Sequence, residues 1–125
     1  MNARATFKGL PIIECLVTFL SSDEGGRSTP LKQGALSGDS YRPHIVIGDP
    51  FQRESVRDGN KLVEEYIGVT FHFGPNEFET GKKLSVELLL LFYPHPVYDK
   101  LKSGATFTVR EGPKIVAFGS VLRGL

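Results

Sequence analysis

The feature of this sequence that most restricts its fold is an alternation of apolar and polar side chains with a period of two residues. It is clearest where Ala105, Phe107 and Val109 alternate with Thr106 and Thr108. Successive side chains of a β-strand point to opposite faces, so this pattern is typical of a half-buried strand. We expect the three apolar side chains to point inward, because a one-residue slip of the register would bury both threonines and expose a phenylalanine.

Six apolar stretches occur along the chain, and segments rich in Gly, Pro, Asp, Asn and Ser separate them. Such segments are typical of turns and loops. Gly112-Pro113 indicates a hairpin between the last two strands, and the pattern allows a helical turn or two only at Arg57–Tyr66. Many short strands favour a sandwich or a barrel, and a closed barrel has no unpaired edge. The predicted strands are Ile12–Leu20, Tyr41–Ile47, Val69–Phe73, Leu84–Tyr93, Ala105–Arg110 and Ile115–Leu122.

Length, charge and cysteine content narrow the class of protein. We expect a single domain over residues 1–125, because this is the usual length of one domain. The net charge of +1 lacks the basic excess of proteins with many phosphate contacts, so nucleic-acid binding would need a local patch. Cys15 lies in an apolar run without a disulfide partner, which indicates a buried thiol in the reducing cytoplasm. Without a continuous apolar stretch, we expect no membrane insertion.

No arrangement of residues in the sequence matches a catalytic or metal-binding motif. The nearest approach to a phosphate-binding loop, Gly74–Lys83, has the wrong spacing and lacks the hydroxyl residue that would hold magnesium. His44, His72 and His95 are not spaced as paired metal ligands, and Cys15 shares the expected core face. We therefore expect no enzymatic activity, no metal site, no cofactor and no tight binding or hydrolysis of GTP.

Three segments of the sequence resemble a known family; they occur in the family's order and together span nearly the whole chain. They are Thr18–Pro30, Tyr41-Arg42-Pro43, and Gly104–Gly112 followed by Ile115–Leu125. Together they resemble the C-terminal (third) domain of translation elongation factor Tu, here standing alone without the GTPase domain. The resemblance implies an all-β, six-stranded, antiparallel closed barrel, which agrees with the number of strands expected from the alternation.

The resemblance also implies candidate contacts with RNA. In the family this domain packs against the GTPase domain and a second barrel, touches the T-stem of aminoacyl-tRNA and contributes to binding the nucleotide exchange factor. It implies RNA contact at Arg27, Glu111 and Gly112, and at His44, which replaces the family's glutamine after Tyr-Arg-Pro. Pro113 replaces a family glycine and removes a backbone N–H donor from the same turn. The loops 31–40 and 49–65 are longer than those of the family.

Two functions remain open from the sequence. The first is a non-enzymatic protein-interaction module, whose expected interface is Leu89, Leu91 and Phe92, because an exposed apolar stretch marks an interface. Its partner would be a second copy of the chain, a translational GTPase or another translation factor. The second is a module that contacts tRNA or ribosomal RNA through backbone and shape. The basic residues that would support it are Arg27, Lys32, Arg42 and Arg110.

Overall fold

The computed structural model describes residues 5–125 and shows an all-β protein with a closed six-stranded antiparallel barrel. The strands are β1 (Thr6–Phe7), β2 (Leu10–Phe19), β3 (His44–Ile47), β4 (Arg57–Asp58), β5 (Lys61–Leu62), β6 (Ile67–Phe73), β7 (Lys83–Leu90), β8 (Thr106–Glu111) and β9 (Lys114–Arg123), and 3-10 turns occupy Ser22–Glu24 and Pro96–Lys100. The barrel order is β2-β7-β6-β3-β8-β9, and β9 pairs with β2 to close it. The all-β class and the six-stranded antiparallel barrel predicted from the sequence are therefore confirmed.

The barrel interior is filled by the inward-facing side chains of all six strands. Phe107 and Val109 of β8 are fully buried there, as the alternation predicts. The cross-strand pairs Ile45↔Val109 and Val109↔Ala117 place β3, β8 and β9 side chains on the same inner face. Cys15 is also in this core, so the expected buried thiol is confirmed, and burial raises its pKa to about 12.

The outer face of β8 differs from the expectation of a solvated polar face. Thr108 points outward as predicted, but it is buried, and so is Arg110. The segment 48–66 lies over this face: Arg110 donates hydrogen bonds to Ser55 and Glu64 of that segment. Alternation along one strand reports which face a side chain is on, whereas burial of the outer face depends on a segment distant in sequence.

The prediction that Arg57–Tyr66 could form a helical turn is wrong. These residues begin a two-stranded hairpin outside the barrel, in which β4 pairs antiparallel with β5 through Arg57↔Leu62 and Asp58↔Lys61. The two-residue turn between the strands contains Gly59 with φ +62°. A glycine at positive φ suits a tight hairpin turn, and it interrupts a helix.

Two predicted strands are shorter or bent in the structure. Regular pairing of β3 begins at His44 rather than at Tyr41, although the Tyr41 and Pro43 carbonyls accept hydrogen bonds from β6. Pro43 has no N–H to contribute to a strand ladder. In β6 the register shifts between Phe71 and Phe73, so Phe73 is exposed instead of continuing the inner face.

The apolar stretch Leu88–Phe92 is mostly part of the core. Leu89 points outward between Ile12 and Thr70, yet only 4% of its surface is exposed. Leu91 is half-buried and Phe92 is 64% exposed, with its ring lying over Gly68. The prediction of an exposed apolar stretch is therefore wrong for Leu89. Its outward-facing neighbours on the two adjacent strands, Ile12 and Thr70, are buried as well. Among residues 5–125, no helix is long and apolar enough to span a membrane.

Candidate functional site

The 48–66 segment is fixed to the barrel by a buried arginine. Arg110 has no solvent exposure, and its guanidinium donates to both carboxylate oxygens of Glu64, at 2.9 and 3.2 Å. It also donates to Thr108 at 2.8 Å and to Ser55 at 2.9 Å, and lies against the Tyr66 ring. A bidentate arginine–carboxylate pair restricts both position and orientation, so the segment has one defined placement on the outside of the barrel.

Glu64 connects Arg110 to other residues of the 48–66 segment. Its carboxylate accepts hydrogen bonds from the Val56 N–H at 2.8 Å and from the Gln52 side chain at 2.9 Å. These contacts all favour the charged form, with the hydrogen bond from Arg110 the largest cause, and they lower the pKa of Glu64 from 4.5 to about 2. The pair is thus ionised throughout the neutral and mildly acidic range.

The depressed pKa of Glu64 predicts acid-dependent loss of stability. The contribution is complete above the unfolded-state pKa of 4.5 and disappears as the pH falls toward 2, because the unfolded chain then binds the proton more strongly. We expect this carboxyl to account for about 2–3 kcal/mol of the acid loss. Urea denaturation between pH 7 and pH 2 checks it: Glu64→Gln should remove this part of the slope, and an unchanged slope would contradict the assignment.

The anchored segment exposes apolar side chains to solvent. Phe51 is 71% exposed, and Val56 and Val63 are each about half exposed. The valines lie together beside the β4–β5 hairpin, where the Val63 N–H donates to the Val56 carbonyl. The Phe51 ring lies 6.2 Å from that of Phe118 on β9. Apolar side chains on a segment held in one conformation are typical of a binding surface, because little entropy is lost when a partner binds.

A cleft of about 520 Å³ separates this segment from the turn between β8 and β9. Three cationic side chains line it, and a single carboxylate, Glu54, lies among them. Among residues 5–125, none of the three cations lies within 4.0 Å of a carboxylate oxygen. The lining consists of Gly25, Arg53, Glu54, Ser55, Arg57, Pro113, Lys114 and Ile115.

Two of the residues implied as RNA contacts are paired with each other. Arg27 donates from its guanidinium to Glu111, and the Tyr41 hydroxyl donates to the same carboxylate oxygen at 2.6 Å. Burial raises the pKa of Tyr41, as does its hydrogen bond to Glu111, so the phenol remains a donor. The pairing joins the loop after β2 to the end of β8, which is a structural role, and it neutralises the charge that a phosphate would contact.

The other implied RNA contacts lie at the same end of β8. Gly112 has φ +58° in the turn that leads to β9. His44 is exposed on β3, opposite Arg110 in the register, with its ring 6.0 Å from Tyr66. The structure therefore brings all four positions to one region. Arg110, which the RNA hypothesis counted as a basic contact, is buried and unavailable to a phosphate.

The remaining candidates from the sequence have ordinary surroundings. His72 contacts Asp39 at 2.9 Å and the Phe7 ring at 4.6 Å, and His95 accepts a hydrogen bond from the Val97 N–H. Within the described part of the chain, no three His, Cys, Asp or Glu side chains are grouped closely enough to hold a metal ion.

The sequence analysis did not predict the exposed apolar surface of the 48–66 segment. Phe51, Val56 and Val63 lie in a stretch without regular alternation, and the family resemblance does not extend to the long 49–65 loop. The available signal was the presence of three large apolar residues in a loop otherwise rich in charge. Their exposure follows from the anchoring of Glu64 to Arg110, which are 46 positions apart.

No protein-family model matches the chain, and no curated protein matches it significantly. The barrel is therefore established by the structure, whereas the resemblance to elongation factor Tu stays a prediction that depends on the three sequence segments.

Proposed function

We propose that this chain is a non-enzymatic protein-binding module that contacts its partner through the 48–66 segment. The observation that carries the proposal is the exposure of Phe51, Val56 and Val63 on a segment anchored by a buried bidentate ion pair. Binding residues are commonly placed on loops that a rigid scaffold positions, and exposed apolar side chains supply most interface energy. The sequence resemblance supports a cytoplasmic partner connected with translation, such as a translational GTPase or factor.

The interface expected from the sequence contributes one exposed side chain to this proposal. Of Leu89, Leu91 and Phe92, the first is buried and the second half-buried, so Phe92 is the member most accessible to a partner. Phe92 is a secondary contact, because its ring already packs over Gly68.

RNA binding remains a second candidate, and the cationic lining of the cleft favours it. Arg53, Arg57 and Lys114 line one surface without close carboxylate partners in the described chain. Against it stands the engagement of Arg27 with Glu111 and the burial of Arg110. Protein binding is favoured because the 48–66 segment is exposed and apolar as well as basic.

A charge at Val63 should abolish capture of the partner. We expect Val63→Asp to lower the amount of partner recovered from nuclease-treated lysate by at least about tenfold, because a charge cannot be buried in an apolar contact. The comparison is quantitative mass spectrometry of proteins cross-linked to the wild type and to the variant.

The matched control is Leu122→Asp, the same kind of change at an apolar side chain that is also half-exposed but lies on β9, outside the 48–66 segment. It should leave capture unchanged. Equal capture by wild type and Val63→Asp would contradict the proposal, and capture that disappears on nuclease treatment of the wild type would favour RNA.

A further inference from the structure

We infer that the cleft between the 48–66 segment and the β8–β9 turn receives an acidic, partly apolar peptide segment of the partner. This inference rests on the proposed function and specifies the chemistry of the partner at that site. It depends on the position of three cations, on the apolar side chains beside them and on the polar groups that shape the cleft.

Arg53 is held in position on the cleft wall. Its guanidinium lies 5.0 Å from the centroid of the Phe118 ring and donates to the carbonyls of Pro50 and Gln52, at 2.8 and 2.9 Å. Stacking on an aromatic ring and bonding to two carbonyls leaves the positive charge in place without a counter-ion in contact. An anionic group entering the cleft therefore meets a charge whose side chain is already ordered.

The other two cations come from the two sides of the cleft. Arg57 begins β4 in the anchored segment, and Lys114 follows Pro113 at the start of β9. The two sides are joined because the Ser55 hydroxyl donates to the Pro113 carbonyl. A ligand in the cleft can therefore place negative groups against both sides at once.

The apolar neighbours of the cleft favour a peptide. Ile115 lines the cleft but is only 4% exposed, so it offers little apolar surface there. Val56, directly before Arg57 in the chain, is half exposed but lies outside the lining. A peptide that places acidic residues in the cleft and an apolar residue on the neighbouring Val56 would use both chemistries, whereas a simple anion would use only the charges.

Two carboxylates near the cleft disfavour a polyphosphate ligand. Glu54 belongs to the lining, and Arg53 is close enough to Glu24 to contribute, after the hydrogen bonds from Ser21, to lowering its pKa. A nucleic-acid backbone presents a regular row of charges and would be repelled at these points. A peptide can place apolar residues there instead.

The test uses the chain of residues 1–125, isotopically labelled, and four synthetic probes. The first is a short peptide that alternates Glu with Leu or Val, and the second carries Gln in place of Glu. The third carries phosphoserine at the Glu positions, and the fourth is a single-stranded RNA of matching length. Amide chemical-shift mapping gives the site, and titration gives the affinity.

We expect the acidic peptide to shift the amides of 53–57 and 114–115 and the Gln peptide to bind at least about tenfold more weakly, because ionic contacts are lost. Arg57→Glu and Lys114→Glu should each weaken the acidic peptide about five- to tenfold, since reversal replaces attraction by repulsion. Lys102→Glu, at an exposed lysine outside the cleft lining, is the control and should have no effect. Tighter binding of the phosphoserine peptide at the same amides would support the inference and identify the anion as phosphate.

The inference is overturned if the Gln peptide binds as tightly as the acidic one, if no acidic peptide binds at millimolar concentration, or if the shifts lie elsewhere. RNA that binds the cleft more tightly than either anionic peptide also overturns it. Capture of a protein partner that is lost in Val63→Asp but unaffected by both charge reversals would retain the proposed function and reject the acidic segment. Capture unaffected by Val63→Asp would reject the proposed function, and the peptide titration would still decide the chemistry of the cleft.

Discussion

Replacing Glu64 by alanine is expected to lower the free energy of unfolding by about 3 kcal/mol, because it leaves the charge of Arg110 buried without a counter-ion. Arg110 has no solvent exposure, and the Glu64 side chain is only 14% exposed. The arginine would keep hydrogen bonds to Thr108 and Ser55, but these neutral groups do not offset the charge. Equilibrium urea denaturation at neutral pH measures the difference.

Glu65→Ala is the matched control for this experiment. The neighbouring glutamate is exposed, and its removal should change stability by no more than about 0.5 kcal/mol. The Glu64 variant should also loosen the 48–66 segment, which amide hydrogen exchange at Val56 would report, since its N–H donates to Glu64. A Glu64→Ala protein as stable as wild type would show that Arg110 can be solvated, and the anchored segment would lose its physical basis.

Replacing Phe107 by alanine is expected to cost about 3–5 kcal/mol, because the substitution opens a cavity in the centre of the barrel. The Phe107 side chain is fully buried and its ring packs close to Gly119 on β9, opposite it in the register. The barrel cannot fill this space without disturbing the β8–β9 ladder. The thermal midpoint and the urea midpoint should both fall.

Phe51→Ala distinguishes an effect on partner binding from an effect on the stability of the core. Phe51 is largely exposed, so its loss should change stability by no more than about 0.5 kcal/mol. If the proposed function holds, the same substitution should weaken partner capture, whereas Phe107→Ala should affect capture only through unfolding. A small effect at Phe107 would contradict the inward register of β8.

The placement of the two ion pairs explains why substitutions at the exposed apolar residues should not affect the stability of the barrel. Arg27–Glu111 ties the loop after β2 to the end of β8, and Arg110–Glu64 ties the 48–66 segment to the same strand. Adjacent residues of one strand point to opposite sides, so consecutive positions hold different segments. Variation in the exposed apolar residues can therefore change binding without altering the barrel.

The sequence by itself determined the all-β class and which side chains of its clearest strand point inward. The alternation at β8, the turn residues between strands and the apolar run around Cys15 are local properties of the chain, and the all-β class follows from them. It also determined the hairpin at Gly112-Pro113, because a two-residue turn is decided by the residues that form it.

Only the tertiary structure decided which outward-facing residues are covered and which are exposed. Thr108 and Leu89 are outward and buried, whereas Phe73 became exposed through a bulge in β6. These outcomes depend on the packing of segments distant in sequence and on the register of neighbouring strands, which no periodicity within one strand encodes. For the same reason the sequence does not show where Phe51 and Val63 lie, because their loop is held against β8 by the contact between Glu64 and Arg110, which are distant in sequence.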